Sequence, residues 1–331
     1  MAGRRRKKSG GRSYAWRYRG RIVACVFVEV IIICALVIMI GWNKGVKEWF
    51  EQFEQPVLKE VDISGINSPN AILMQARGGK ILGEINGEAQ IYPASMTKIM
   101  TVILGIENFD DLDEKITLTD EMFSGLCEQD ATQAGFQPGE EVRVIDLLYG
   151  AMLPSGAECC IALADTISGS EADFAELMNK KARKLGMENT HFCDSTGLHN
   201  PDHYSTVKDI AVLMKYCIKN DTFREIVETS RHSTGVTNIH PDGITYYSTM
   251  FKNLSDPTVT GGKILGGKTG YTSEAGHCLV SFAEIEGREY IFVSAGASGA
   301  DGNTIPHIQD AVTVYNRVGA AIEAKMNDNN K

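Results

Sequence analysis

Ser95 and Lys98 stand three residues apart in the stretch Ile91–Thr101, a spacing that could support acyl transfer. A serine hydroxyl is a weak nucleophile at neutral pH and becomes useful only beside a base. If Ser95 opens a helix, Lys98 follows on the same face and the two side chains meet. An amine acts as that base only where burial or neighbouring cations favour its uncharged form, which demands a closed pocket. Backbone N–H groups at a helix start can also hold a developing oxyanion. The spacing alone is common: Ser205 and Lys208 repeat it and are read as coincidence. Two further motifs supply what the pair lacks, Ser155-Gly156-Ala157 with a second hydroxyl and Lys268-Thr269-Gly270 with a second amine.

These motifs must be positioned by elements far apart in the chain. Ala71–Ala76 and Lys80–Ile85 flank Arg77-Gly78-Gly79, a β-hairpin signal. Met96, Ile99, Met100, Ile103 and Leu104 recur at helical spacing after Ser95 and are read as core. A polar segment, 108–141, contains a short strand-like run at 115–118. Val142–Gly150 and Glu158–Ile167 read as helices, broken by the loop 153–157 that carries Ser155. Ala172–Lys184 and Val207–Lys219 are further helices, separated by the loop Asp194–Tyr204. Cys278–Ile285 and Tyr290–Ala295 form a second hairpin across Glu286–Glu289, and Ile308–Met326 has a helical period. Helices inserted between the first and last strands predict an α+β fold with an antiparallel sheet and an inserted all-helical subdomain.

The net charge of −9 hides an asymmetry. Residues 1–21 carry nine Lys/Arg and no acid, so the remainder holds 24 basic against 42 acidic residues, a net −18. An acidic body argues against nucleic acid as a partner. Ile22–Ile40 is apolar except for Glu29, long enough to cross a bilayer, and the basic flank places the N-terminus in the cytoplasm. The chain is therefore expected to comprise a basic tail (1–21), a transmembrane signal anchor (22–41), a stalk (42–65), a catalytic domain (66–326) and a polar tail (327–331). The domain would face outside the cell membrane. Six cysteines lie beyond the span without Cys-x-x-Cys spacing, which argues against zinc.

Taken in order, Ser95-Met96-Thr97-Lys98, Ser155-Gly156-Ala157 and Lys268-Thr269-Gly270 match the signature of penicillin-binding proteins and class A β-lactamases. With the flanking Tyr92–Thr101, Asp146–Gly150, His203–Thr206 and Gly267–Thr272, the chain resembles the serine-type D-alanyl-D-alanine carboxypeptidases, the low-molecular-mass penicillin-binding proteins, over residues 66–300. The resemblance implies a penicillin-binding/β-lactamase-like fold acting on peptidoglycan stem peptides and acylated by β-lactams, with no cofactor. It implies Ser95 as nucleophile, Lys98 as its base and Ser155 as proton relay to the departing D-alanine. Lys268 and Thr269 would hold the substrate carboxylate, and the N–H groups of Ser95 and Tyr271 the oxyanion. Gly267 and Gly270 would let the substrate backbone approach.

One position departs from the family pattern. The second motif normally ends in Asn; here Ala157 offers no side-chain hydrogen bond, so Glu158 or a water is expected to compensate. His199 and His203 are four apart, but Asn200-Pro201 prevents a helical register between them, and they are read as structural. Two alternatives share the motifs. A β-lactamase needs a deacylating glutamate, absent from Asp194–Asn200. A non-hydrolysing β-lactam sensor would have only a 21-residue tail with which to signal.

Overall fold

The chain divides into two units, Met1–Pro56 and Val57–Lys331. The structure, a computed structural model, describes residues 58–254, 256–299 and 305–329. The expected basic tail and bilayer span lie outside them.

The second unit is built on a six-stranded antiparallel sheet. β1 (Asn70–Gln75) and β2 (Ile81–Ile85) form the expected first hairpin. The helical region follows, and the sheet is completed by β7 (Thr258–Val259), β8 (Gly262–Thr272), β9 (Gly276–Ile285) and β10 (Arg288–Ala297), giving the order β2-β1-β10-β9-β8-β7. The first strand closes on the last, with Ile72 opposite Val293. Glu286 and Gly287 both have positive φ, 48° and 69°, the type I′ geometry that suits a two-residue turn between twisted strands.

Both sheet faces are covered, so the strands are apolar on both sides. Ile72, Met74, Val280, Phe282, Ile291 and Val293 pack with the helices of the inserted region. The alternate residues Ala71, Leu73, Leu279, Ala283 and Phe292 pack against Val314, Tyr315 and Val318 of the C-terminal helix α8 (Pro306–Asn329). Leu58, Val61 and Ile63 are buried in this second core, so packed structure begins inside the segment expected to be a stalk. Their apolar spacing is too short and irregular to separate from the amphipathic residues before them.

The inserted region holds α1 (Lys98–Asn108), β3 (Lys115–Thr117), β4 (Glu141–Arg143), α2 (Val144–Met152), α3 (Ala157–Ser168) and α4 (Glu171–Leu185). It continues through α5 (Val207–Cys217), α6 (Asp221–Glu228), β5 (Arg231–Ser233), β6 (Thr245–Tyr247) and α7 (Thr249–Asn253). It is therefore not all-helical: β3 pairs with β4 and β5 with β6 in two small antiparallel sheets. Every residue of α1 from Lys98 to Gly105 is buried, as expected of a helix enclosed on all sides. A Cβ on Gly105 would lie 2.7 Å from Leu148 Cδ2, so α2 can lie close against α1.

Candidate active site

Ser95 does not begin the α-helix itself. It lies in a 3₁₀ turn, Ala94–Thr97, that leads directly into α1, whose first residue is Lys98. Ala94 adopts φ 46°, a left-handed conformation that is strained for a residue with a Cβ. The turn keeps the two side chains together: Lys98 Nζ donates to Ser95 Oγ at 3.1 Å and to the Thr196 carbonyl at 2.6 Å. Lys98 is buried, while Ser95 keeps partial access to solvent.

The Thr196 carbonyl comes from a tight turn, Asp194–Gly197. Asp194 Oδ1 accepts from Thr196 N (2.8 Å), Thr196 Oγ1 (2.8 Å) and Gly197 N (2.6 Å), the local bonding that makes Asp a turn former. Burial pushes the Asp194 carboxyl up, but hydrogen bonding and charge from His203, with the turn donors, outweigh it and hold the group at about 2. The turn is strapped to α1, where Thr101 Oγ1 donates to Ser195 O at 2.6 Å. It is also strapped to α4, where Glu171 accepts from Ser195 N (3.0 Å) and Oγ (2.6 Å).

β8 supplies the opposite wall. β7 pairs only with Gly262 and Lys263, so the β8 edge beyond them is free of strand partners among the described residues. A Cβ on Gly270 would come within 3.1 Å of Ser95 N, 3.2 Å of Ala94 Cβ and 3.2 Å of Pro93 O. Gly270 thus makes room for the serine turn. Gly267 likewise accommodates Val280 O and Met250 Sδ, 2.5 and 2.7 Å from its absent Cβ. Both glycines serve the protein's own packing.

Lys268 is 1% exposed and donates to Thr269 O at 2.9 Å. Burial, then the charge of nearby Lys98, hold the Lys268 amine well below the ordinary lysine range. Two lysines far apart in sequence therefore face one site. Thr269 Oγ1 shares a 2.7 Å hydrogen bond with Thr249 Oγ1, and the Tyr271 side chain is 61% exposed at the rim.

Ser155 is buried in the loop between α2 and α3 with φ 75°, a second strained residue. Its loop is pinned by Gly156 N to Gly150 O and by Ala157 N to Thr132 O, both 2.8 Å. Glu158 does not replace the missing amide at 157. Its Oε1 accepts from Ala134 N (2.6 Å) and Gly135 N (2.9 Å), and Oε2 is buried without a partner. The backbone of the Thr132–Gly135 segment draws this carboxylate to itself, and burial raises its pKa. On the same helix, Cys160 Sγ donates to Gly156 O at 3.4 Å, and burial pushes its thiol to about 12.

His199 and His203 part company. His199 packs edge-on against Tyr92 and lies 4.0 Å from Glu274. His203 is buried between Asp194 (Nδ1 to Oδ2, 3.0 Å) and Thr97 (Nε2 to Oγ1, 2.9 Å). The second Ser-x-x-Lys is dispersed: Ser205 bridges to Ile91 through the backbone, and Lys208 pairs with Glu88 at the surface. The six cysteines outside the expected span are free thiols. Asp194, Thr196 and Glu171 were not singled out by sequence reasoning; the Asx-turn composition of Asp194-Ser195-Thr196-Gly197 could have found the first two, and no local signal marks Glu171.

A serine held against an amine, with a second buried amine on β8 near enough to feel its charge, makes a site suited to acyl transfer through serine. Comparisons with known proteins agree. Residues 57–299 match the family of D-alanyl-D-alanine carboxypeptidases, peptidase family S11. The chain is 35% identical over 231 residues to D-alanyl-D-alanine carboxypeptidase DacF of Bacillus subtilis (strain 168), covering 69% of this chain and 57% of that protein. It therefore spans just under three fifths of that relative. It is also 35% identical over 236 residues to D-alanyl-D-alanine carboxypeptidase of Streptomyces sp. (strain K15), covering 69% of this chain and 78% of that one. The crystal structure of the Streptomyces K15 DD-transpeptidase superposes with a TM-score of 0.69 at 29% identity, over 79% of this chain and 100% of that one. With the family matched along most of its length and the fold shared, the chain belongs to the D-alanyl-D-alanine carboxypeptidase family, peptidase family S11.

Proposed function

We propose that this protein is a serine-type D-Ala-D-Ala carboxypeptidase that removes the terminal D-alanine from peptidoglycan stem pentapeptides and is acylated at the same serine by β-lactams. The observation that carries the reading is the 3.1 Å approach of Lys98 Nζ to Ser95 Oγ, with the buried Lys268 near enough for the two amines to feel each other's charge.

Ser95 Oγ attacks the carbonyl carbon of the penultimate D-alanine while its proton passes to Lys98. An unprotonated amine keeps two N–H groups and one lone pair. With one N–H on the Thr196 carbonyl, the lone pair is free to face the serine proton. The N–H groups of Ser95 and Tyr271 receive the oxyanion. Collapse breaks the C–N bond, and the departing nitrogen takes a proton relayed from Lys98 through Ser155. Water then attacks the ester, giving its proton back through Lys98, and releases the shortened peptide with Ser95 restored. Lys268 and Thr269 hold the terminal carboxylate, which orients the scissile bond. No step draws on a metal or organic cofactor.

The proposed location is the outer face of the cell membrane, with residues 1–21 in the cytoplasm and 22–41 as a single-pass anchor. Support comes from the apolar run and its basic flank. Among the described residues no helix is long and apolar enough to cross a membrane. The activity is tested with diacetyl-Lys-D-Ala-D-Ala, following released D-alanine, and with labelled penicillin followed by peptide mass mapping. Release and labelling at Ser95 are expected, and both are expected to vanish in Ser95→Ala. Release that survives the substitution, or none from the unaltered protein, would overturn the assignment.

A further inference from the structure

We propose that Asp194 and His203 are positioning residues for acylation: together they fix the Thr97 hydroxyl and the Thr196 carbonyl, and so hold the Lys98 amine on the Ser95 oxygen. The inference rests on the acyl-transfer reading of Ser95 and Lys98.

The observations begin with a carboxylate where a charge is hard to keep. Asp194 is part-buried, in a turn whose Ser195 and Thr196 are buried, and a carboxylate drawn out of water persists in its charged form only when its oxygens are satisfied. Oδ1 takes three donors from Thr196 and Gly197, and Oδ2 takes His203. The first set orients the Thr196 peptide, whose carbonyl receives Lys98 Nζ at 2.6 Å. The second sets a tautomer. An ionised carboxylate only accepts hydrogen bonds, so Nδ1 carries a proton, and a ring holding one proton holds it there. Cys193 N also approaches Nδ1, at 3.3 Å, but Asp194 is the nearer and charged partner. Nε2 is then bare and accepts the Thr97 hydroxyl at 2.9 Å.

The arrangement is carboxylate, imidazole, hydroxyl, as in a serine protease triad, but its hydroxyl cannot be a nucleophile. Thr97 is 0% exposed and His203 2% exposed, out of reach of any substrate. What the chain of bonds does is hold one residue of the serine turn. Thr97 lies between Ser95 and Lys98, so anchoring its side chain fixes the turn from within, while the Thr196 carbonyl fixes the lysine tip from outside. Both anchors end on one carboxylate. The Thr97 hydroxyl, committed to His203, is also withdrawn from competition for Ser95 Oγ and Lys98 Nζ.

Asp194→Asn is the informative variant. Its amide oxygen can still accept from the Thr196 and Gly197 amides, while its NH₂ faces Nδ1 and forces the proton to Nε2. The Thr97 contact is then reversed, with the imidazole donating and the threonine accepting. The acylation rate constant with labelled penicillin and kcat for D-alanine release are expected to fall about 10–100-fold, as for a misplacement of ångström size or less, with KM changed less than threefold. Thr97→Val is expected to produce a loss of similar size. The double variant is expected to be little worse than either single one, since both cut the same path. Rates are taken per active site, from burst titration well below each variant's melting temperature, so that partial unfolding does not count as slow acylation. His203→Gln, whose amide oxygen can accept from Thr97, is expected to recover part of the rate lost in His203→Ala. Wild-type rates per active site in Asp194→Asn, or strictly additive losses in the double variant, would overturn the positioning role. Failure of the unaltered protein to acylate at Ser95 would instead overturn the reading beneath it.

Discussion

Replacing Gly197 by alanine tests how tightly the Thr196 turn is wedged against the nucleophile. Gly197 has φ +80°, where a side chain costs about 1–2 kcal/mol. The added Cβ would also lie 1.9 Å from the Ala94 carbonyl oxygen, against an ordinary contact that begins at 3.4 Å. The two loops must therefore part by about 1.5 Å, and overpacking of this kind costs roughly a further 1–3 kcal/mol. The displaced atoms are the neighbours of Ser95 on one side and the carbonyl that holds Lys98 on the other. Because a shift of 1 Å in a reacting group can cost on the order of 100-fold, the penicillin acylation rate is expected to fall about that much. At roughly 2–4 °C per kcal/mol for a domain of 150–250 residues, the melting temperature should drop by several degrees. Gly186 provides the control: its φ is +79° with nothing within 4 Å of a Cβ. Gly186→Ala carries the left-handed penalty without the collision and should acylate at the wild-type rate. Gly197→Asn, which tolerates positive φ but still adds a Cβ, should behave like Gly197→Ala. If Gly197→Ala acylates within threefold of wild type, the wedge is not real.

Three other perturbations separate the site from its scaffold. Burial and Lys98 lower the pKa of Lys268, so its cation is lost as pH rises through a value below the ordinary lysine one; KM for a D-Ala-D-Ala peptide should climb in that window. Lys268→Arg, always protonated, should flatten the climb, and a wild-type KM constant to pH 10 would contradict the assigned carboxylate contact. Glu158 has a raised carboxyl, so the folded state holds its proton more tightly than the unfolded chain and loses stability as pH rises from the ordinary carboxyl value through the raised one. Glu158→Gln removes that loss and should be the more stable protein in urea at pH 8, with the gap closing towards pH 4.5; a gap that widens on acidification would refute it. Tyr315 Oη accepts from Phe292 N at 3.1 Å and bonds Ser281 Oγ at 3.1 Å, all buried on the α8 side of the sheet. Tyr315→Phe should cost about 1–3 kcal/mol by stranding these groups, read by thermal melting, with penicillin acylation unchanged; a slower acylation per active site would show that the α8 face is coupled to the cleft.

Much of the scaffold is legible in the sequence because its elements announce themselves locally. The β1–β2 and β9–β10 hairpins carry glycine turns between apolar runs, and α1 and α8 keep a helical period. Elements made by distant pairing are less legible. β4 and β6 are three-residue strands that exist only because β3 and β5 lie beside them, and no three-residue window has a period. Of the site, the three motifs are readable because each joins residue types that chemistry rarely needs together. Their supports are not, since they act through backbone atoms. The Thr196 carbonyl is a partner for Lys98 that every residue type could supply, so nothing in its side chain marks it. Gly270 is legible in part: a glycine in a strand signals close approach, but that the protein's own serine turn is what packs against it is a matter of tertiary structure.

The alanine at 157 acquires a physical sense from these contacts. In the family pattern an asparagine at this place bonds both substrate and lysine. Here the lysine tip is bound by Ser95 and by a carbonyl 98 residues away in the chain, while the neighbouring Glu158 is occupied by the Ala134 and Gly135 amides. A carbonyl accepts an N–H but neither gives nor takes a proton, so it can orient an amine without contending for the serine proton. With no side-chain amide at 157, the lysine's orientation is left in the keeping of the Asp194 turn. That turn is fixed by hydrogen bonds to Thr101 on α1, buried, and to Glu171 at the start of α4, part-buried, 94 and 24 residues away in the chain. Precision at Ser95 thus depends on the packing of the whole inserted region. Variants that loosen α4 against α1 should slow acylation before they unfold the protein, a separation that an asparagine-based clamp inside the motif itself would not produce.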